Sequence, residues 1–155
     1  MLIGVIGASE CDAKTGSVAE QLGELIALKG HHLVCGGLGG VMRYACKGAK
    51  KKGGLTVGIL PGASTFTKNE YVDIPIVTAM SHARNAIIVR TADILVAVGG
   101  KYGTLSEIAL AKAINKTVIA IHSWDIPDVI AVNTPREAMG MIEQLMTKRR
   151  RTVYE

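Results

Sequence analysis

An alternation of segment types is the feature that most limits how this chain can fold. "LIGVIG" (2–7), "HHLVCGG" (31–37), "LTVGILP" (55–61), "DILVAVGG" (93–100) and "TVIAIH" (117–122) are short, apolar and rich in β-branched residues. Between and after them lie stretches with helical spacing. In "SVAEQLGELIALKG" (17–30), Val18, Leu22, Leu25 and Ile26 share one face and Gly30 stops the run. "GVMRYACKGAKKKGG" (40–54), "SHARNAIIVRTA" (81–92), "TLSEIALAKAIN" (104–115) and "TPREAMGMIEQLM" (134–146) are read as helices, with Ala83, Ala86, Ile87 and Arg90 spaced along the second of these. "GASTFTKNEYVD" (62–73) reads as a loop and "IPIVTA" (74–79) as a short apolar piece. Strands that are apolar throughout are covered on both faces, so the expected fold is α/β. It is a Rossmann-like three-layer α/β/α arrangement with a parallel sheet. At 155 residues it is expected to form a single nucleotide-binding domain spanning 1–155, with 148–155 as a basic tail.

Ligands of such sheets bind beyond the carboxyl ends of the strands. Glycine-bearing turns stand at those ends in "GASE" (7–10), "GGLGG" (36–40) and "GGKYG" (99–103). Glycine lets the backbone approach a ligand, and the following helix offers unpaired N–H groups to an anion. Gly7 and Ser9, after the first strand, are candidates to touch a phosphate. The first turn lacks GxGxxG spacing and no acid follows the second strand, which argues against NAD or FAD. GxxxxGK[ST] is absent, so a P-loop ATPase is not supported.

The net charge of +5 is concentrated in "KGAKKKGG" (47–54) and "TKRRR" (147–151). Neither cluster is interleaved with aromatic residues, so solvated surface is expected rather than nucleic-acid binding. Cys11, Cys35 and Cys46 have no CxxC spacing, and His31, His32, His82 and His122 have no ligand spacing. No metal site is expected, and the thiols suit a reduced, cytoplasmic protein. No apolar run approaches the ~20 residues of a membrane span. Arg43 is read as an exposed helix residue, His82 as a candidate to line the site, and Trp124 as packing under the last helix.

"TLSE" (104–107) has the T-x-x-E spacing of a capping box, and so does "TPRE" (134–137), where Pro135 takes the first helical position. Spacing alone makes Thr104 and Glu107 a helix cap worth roughly 1 kcal/mol. The glycines in front of the first box, missing before the second, add a functional reading to Glu107.

"GGLGGVM" (36–42), "SHARN" (81–85) and "GGKYGTLSE" (99–107) together resemble the lysine-decarboxylase-like, or Lonely Guy, superfamily. The resemblance runs from about Gly4 to His122. Within it, "ARNAIIVRTADILVAVGGKYGTLSEIALA" is most similar to the branch of molybdenum-cofactor carrier proteins. The resemblance implies a ligand- or phosphate-binding role for Gly99, Gly100, Gly103 and Thr104, and for Gly36, Gly37, Gly40 and Met42. It implies that Arg84 and Glu107 are the catalytic pair of a phosphoribohydrolase. Such an enzyme cleaves a nucleoside 5′-monophosphate to base and ribose 5-phosphate. A carboxylate there stabilises oxocarbenium charge and orients water, while arginine holds oxyanions through its fork of donors.

The chain departs from the hydrolase pattern at Val98, at Asn85, and in a loop one residue longer, with both Lys101 and Tyr102 between Gly100 and Gly103. Hydrolysis and non-catalytic carriage of a pterin-type molybdenum cofactor therefore stand as alternative readings. No cofactor is required by the sequence, the molybdenum cofactor entering only as a bound ligand. Pyridoxal phosphate chemistry is not expected from so small a chain. The expected partner is a small phosphorylated nucleotide-like or pterin ligand. A homo-oligomer, a dimer or larger, follows from the resemblance.

Overall fold

In a computed structural model, residues 1–154 are described, with side chains described through 148. The elements are β1 (Leu2–Gly7), α1 (Ala13–Leu28), β2 (His32–Cys35), α2 (Gly40–Lys51), β3 (Thr56–Leu60), β4 (Ile74–Val77) and a 3-10 turn (Ser81–Arg84). They continue with α3 (Asn85–Thr91), β5 (Ile94–Val98), α4 (Tyr102–Ala113), β6 (Val118–Ile121), β7 (Ile130–Val132) and α5 (Pro135–Tyr154). The sheet has seven strands in the order β4-β3-β2-β1-β5-β6-β7. Every pairing is parallel. This is the expected α/β Rossmann-like architecture.

Side chains alternate across the pleat and feed two cores. Ile3 and Val5 of β1 pack with α1, α2 and α5 through Leu22, Ile26, Val41, Ala45 and Ile142. Ile6 of β1 points the other way, toward Ile88 and Val89 of α3 and Ile108 of α4. From β1 the chain builds outward in one direction, and from β5 in the other. The neighbours β1 and β5 thus flank the point where strand order reverses, and the loops beyond their carboxyl ends open a crevice.

Several boundaries differ from the sequence reading. Helix α1 starts at Ala13 because Asp12 caps it, accepting from the Thr15 N–H at 2.7 Å. "SHARNAIIVRTA" is divided between the 3-10 turn and α3. Ala79 and Ser81, at φ 52° and 51°, bend the chain there. Their N–H groups are held by the carbonyls of Gly62 and Pro61. β7 was not expected, and "IPIVTA" forms the edge strand β4. Helix α4 begins at Tyr102, two residues before the expected cap at Thr104.

Trp124 does not pack under α5. Its Nε1–H donates to the Lys101 carbonyl at 3.1 Å, and its ring lies 5.9 Å from that of Tyr102. Lys50 pairs with Asp73, and Lys47 and Lys51 both pair with Glu20, so most of the first basic cluster is matched by acids. Lys148 begins the expected basic tail, and the remaining tail side chains, 149–155, lie outside the described residues. Among the described residues, no helix is long and apolar enough to cross a membrane.

Candidate functional site

A cavity of about 230 Å³ occupies the crevice. The end of β1 lends Gly7, and the loop after it Ala8 and Ser9. Leu38 enters from the β2–α2 connection, Met42 from the first turn of α2, and His82, Arg84 and Asn85 from the 3-10 turn and the start of α3. Lys101, Gly103, Thr104 and Glu107 line it from the N-terminal end of α4. A neighbouring cavity of about 190 Å³, between Thr15, Val18, Val98 and Ile121, is mostly apolar, with Lys14 and His122 at its edge. Only the first brings buried charges of both signs together.

Of the residues singled out in the sequence, Gly7, Ser9, Met42, Arg84, Gly103, Thr104 and Glu107 meet in this cavity. Gly36, Gly37, Gly40, Gly99 and Gly100 do not line it but shape its surroundings. The Gly36 carbonyl accepts from Arg84 Nη2 at 3.4 Å. Gly37 donates its N–H to Cys35 Sγ at 3.3 Å. Gly40 lies against the Ala8 carbonyl, where an added Cβ would stand 2.3 Å away. Gly99 lines the neighbouring cavity, and its carbonyl accepts from Ser123 Oγ. Gly100 adopts φ 115°, and a Cβ there would come within 2.5 Å of the Thr104 side chain.

Arg84 is 7% exposed and held by its surroundings. Its Nε donates to the Ile59 carbonyl at 2.7 Å, its Nη1 to Asn85 Oδ1, and its Nη2 to Gly36. Asn85, where the hydrolase pattern has lysine, carries the connection onward. Its Nδ2 donates to Ser106 Oγ at 3.3 Å, and that hydroxyl donates to the Gly103 carbonyl at 2.7 Å. The arginine is thereby tied to the first turn of α4.

Thr104 and Glu107 are not the capping box their spacing suggested. Lys101 is the N-cap of α4 and makes no side-chain cap bond. Thr104 therefore falls inside the first turn, and its buried Oγ1 has no partner. Glu107 lies in the second turn, facing the cavity, and is 7% exposed. Burial pushes its carboxyl up to about 7, against the downward pull of Arg84. Burial also lowers the Arg84 guanidinium from its ordinary range. Among the described residues the two form no ion pair. Beneath Gly36, Cys35 and Cys46 approach to 3.5 Å between sulfurs, and that contact and burial push the Cys46 thiol up.

Lys101, Ala8, Leu38 and Asn85 were not foreseen as lining residues. The longer "GGKYGT" loop was visible in the sequence, but which inserted side chain turns inward depends on where α4 starts. His82 does line the cavity. Arg43 instead pairs with Glu70 and lies 5.3 Å from the Tyr71 ring centre.

Comparison with known proteins gives a consistent set of relatives. The SLOG cluster4 family model matches residues 1–150. An uncharacterized protein of Archaeoglobus fulgidus is 52% identical over 141 residues, covering 90% of this chain and 93% of that one. The molybdenum cofactor binding protein of Rippkaea orientalis is 39% identical, with a TM-score of 0.90 over 94% of this chain and 96% of that one. The molybdenum cofactor carrier protein MCP of Chlamydomonas reinhardtii is 35% identical, with a TM-score of 0.86 over 94% and 98%.

Proposed function

The chain belongs to the SLOG cluster4 family, on the molybdenum-cofactor-carrier branch of the Lonely Guy-like superfamily, and from that premise we propose that it binds a phosphorylated pterin of the molybdenum-cofactor type and carries it without cleaving it. The observation that carries this reading is the state of Arg84. Each of its three guanidinium nitrogens already donates within the protein. With three of its five N–H groups held in this way, it favours bracing the cavity over the freer grip on a sugar phosphate that a hydrolase needs.

The residues present fit such a ligand. Neither Gly39 before α2 nor Lys101 before α4 supplies a side-chain cap. The first turn of α4 can therefore receive a phosphate beside the Lys101 ammonium and the Ser9 hydroxyl. The Glu107 carboxyl, facing the cavity, offers a polar contact further in. The metal is cargo in this scheme, and no reaction step is assigned to it. Unpaired Cys11, Cys35 and Cys46 suit a cytoplasmic carrier. The homo-oligomer expected from the resemblance is part of the proposal and is measured by light scattering.

The decisive experiment is purification from molybdate-replete cells. Pterin fluorescence after oxidation and molybdenum by mass spectrometry should both track the protein at near-equal stoichiometry. Protein carrying neither, and showing no thermal shift with added pterin phosphates, would sink the carrier reading. Hydrolysis keeps one observation in its favour, a cavity carboxyl poised near neutrality. Free base released from AMP or N6-substituted AMP by the purified protein would decide for it.

A further inference from the structure

A helix-end phosphate site leaves Glu107 without a role. The side chain is 7% exposed, and among the described residues no N–H or O–H reaches its carboxylate. Arg84 is the cation that influences it, but the hydrogen bonds Arg84 makes go to Ile59, Asn85 and Gly36 and not to Glu107. Thr104 lines the same wall, but its Oγ1 is enclosed beside Gly100 and not open to the cavity, which leaves the Glu107 carboxylate as the group there that a ligand can meet. A mostly buried carboxylate that faces a cavity without a donor of its own calls for one from outside the chain.

The ligand's phosphate is the wrong group to complete this end. Its charge would repel the ionised carboxylate, and its oxygens offer acceptors where donors are missing. The anion-binding end of the cavity is the start of α4. From Lys101 to Glu107 the helix rises about 9 Å along its axis. That span suits a ring system joined to a phosphate by a short arm.

Resting on the anion-at-the-helix-end reading above, we propose that Glu107 reads the N–H edge of the ligand ring, and that this ring is a 2-amino-4-oxo pyrimidine as in a pterin or a guanine. The ring N–H and the neighbouring amino N–H are parallel donors, and they match the two oxygens of one carboxylate as a guanidinium does. A 6-amino purine edge alternates donor and acceptor and leaves one carboxylate oxygen unpaired.

The contact needs the ionised carboxylate, so binding draws a proton off Glu107 and strengthens as pH rises to about 7. The titratable groups that influence or adjoin it are Arg84 from the 3-10 turn and Cys35 from β2, with His82 and Lys101 on the cavity wall. Arg84 keeps its charge across this range, and the rise therefore reports on Glu107.

The test is calorimetry at pH 8 with two probe pairs, GMP against IMP and pterin-6-carboxylate against lumazine-6-carboxylate. Members of each pair differ in the 2-amino group. A charge-assisted hydrogen bond predicts a preference of about tenfold or more for the amino member. The E107Q variant should bind both members alike, near the wild-type affinity for the weaker one. Should E107Q fold poorly, wild-type protein at pH 5.5 gives the same information, because protonating Glu107 erases the preference. Loss of the pH effect in His82→Asn, with the preference intact, would overturn its assignment to Glu107. Discrimination within only one pair names the ring as pterin or as guanine. Equal wild-type affinities within both pairs would overturn the edge reading and leave the phosphate site intact. Failure of all four probes to bind would overturn both.

Discussion

Glu107 and Glu137 each follow a threonine by three residues, yet only Glu137 closes a helix end. The Thr134 hydroxyl accepts the Glu137 N–H at 3.2 Å, and the Glu137 carboxylate accepts the Asn133 N–H at 2.8 Å. The corresponding bonds are absent between Thr104 and Glu107, because Gly99 and Gly100 turn the chain into α4 early. Both glycines have positive φ, at 54° and 115°. A shift of two residues in the helix start moves the threonine inside the first turn and the glutamate to the cavity wall.

Unfolding in urea should separate the two threonines. Thr134→Ala removes a working cap and is expected to cost about 1 kcal/mol. Thr104→Val replaces an unpartnered buried hydroxyl by a methyl of the same shape. It is expected to leave stability unchanged or raise it slightly. A larger loss from Thr104→Val than from Thr134→Ala would mean that the Thr104 hydroxyl has a partner in the folded protein.

The raised carboxyl of Glu107 makes the ligand-free protein less stable as pH increases. Between its ordinary value of 4.5 and its folded value of about 7, the folded state binds more protons than the unfolded one. Stability therefore falls through that window and levels off above it, by roughly 3 kcal/mol in all. Glu107→Gln should flatten this fall and stabilise the ligand-free protein at pH 8. Parallel thermal melts from pH 4.5 to 8.5 measure it, and superimposable pH profiles for the two proteins would rule it out.

The layered fold was legible in the sequence because each inner strand is apolar throughout and each following helix repeats its apolar residues at helical spacing. β7 escaped because "IAV" is three residues long and partly exposed. The start of α1 escaped because its cap, Asp12, lies outside the apolar pattern. Arg84, Glu107 and Ser9 could be named in advance by motif and position, although the roles of Arg84 and Glu107 could not. The burial of Arg84 under the carbonyls of Ile59 and Gly36 depends on contacts 25 and 48 residues away along the chain. No local pattern carries that information. For the same reason Trp124 could not be matched to Lys101 before the ends of β5 and β6 were brought side by side.

Two glycines at the site should behave oppositely. A Cβ at Gly36 would stand 2.6 Å from Arg84 Nη2 and 2.8 Å from Met42 Sδ. Gly36→Ala must therefore displace the end of the arginine or the methionine, at a stability cost of about 1–3 kcal/mol typical of overpacking. Its larger effect is expected on ligand affinity, because both side chains line the cavity. A Cβ at Gly103, in the first turn of α4, meets nothing within 4 Å. Gly103→Ala should stabilise the fold by about 0.5–1 kcal/mol through helix propensity. Chemical denaturation and calorimetry on both variants check the contrast, which is lost if Gly36→Ala binds ligand as the wild type does.

Trp124 supplies a built-in reporter of the same loop. It is the single tryptophan of the chain. Its indole N–H holds the Lys101 carbonyl at 3.1 Å, and the Lys101 side chain lines the cavity. A phosphate drawn to the start of α4 pulls on Lys101 and alters the polarity around the indole. Titration of the wild type with a bound probe is expected to change tryptophan emission hyperbolically, with the dissociation constant found by calorimetry. Trp124→Phe keeps an aromatic ring against Tyr102 but loses the hydrogen bond to Lys101. It should fold normally and release ligand several-fold faster, since changes at one interface act mainly on the off-rate. Stopped-flow displacement measures that rate. Emission that stays constant through saturation, together with an unchanged off-rate in Trp124→Phe, would show that this loop does not sense the cavity.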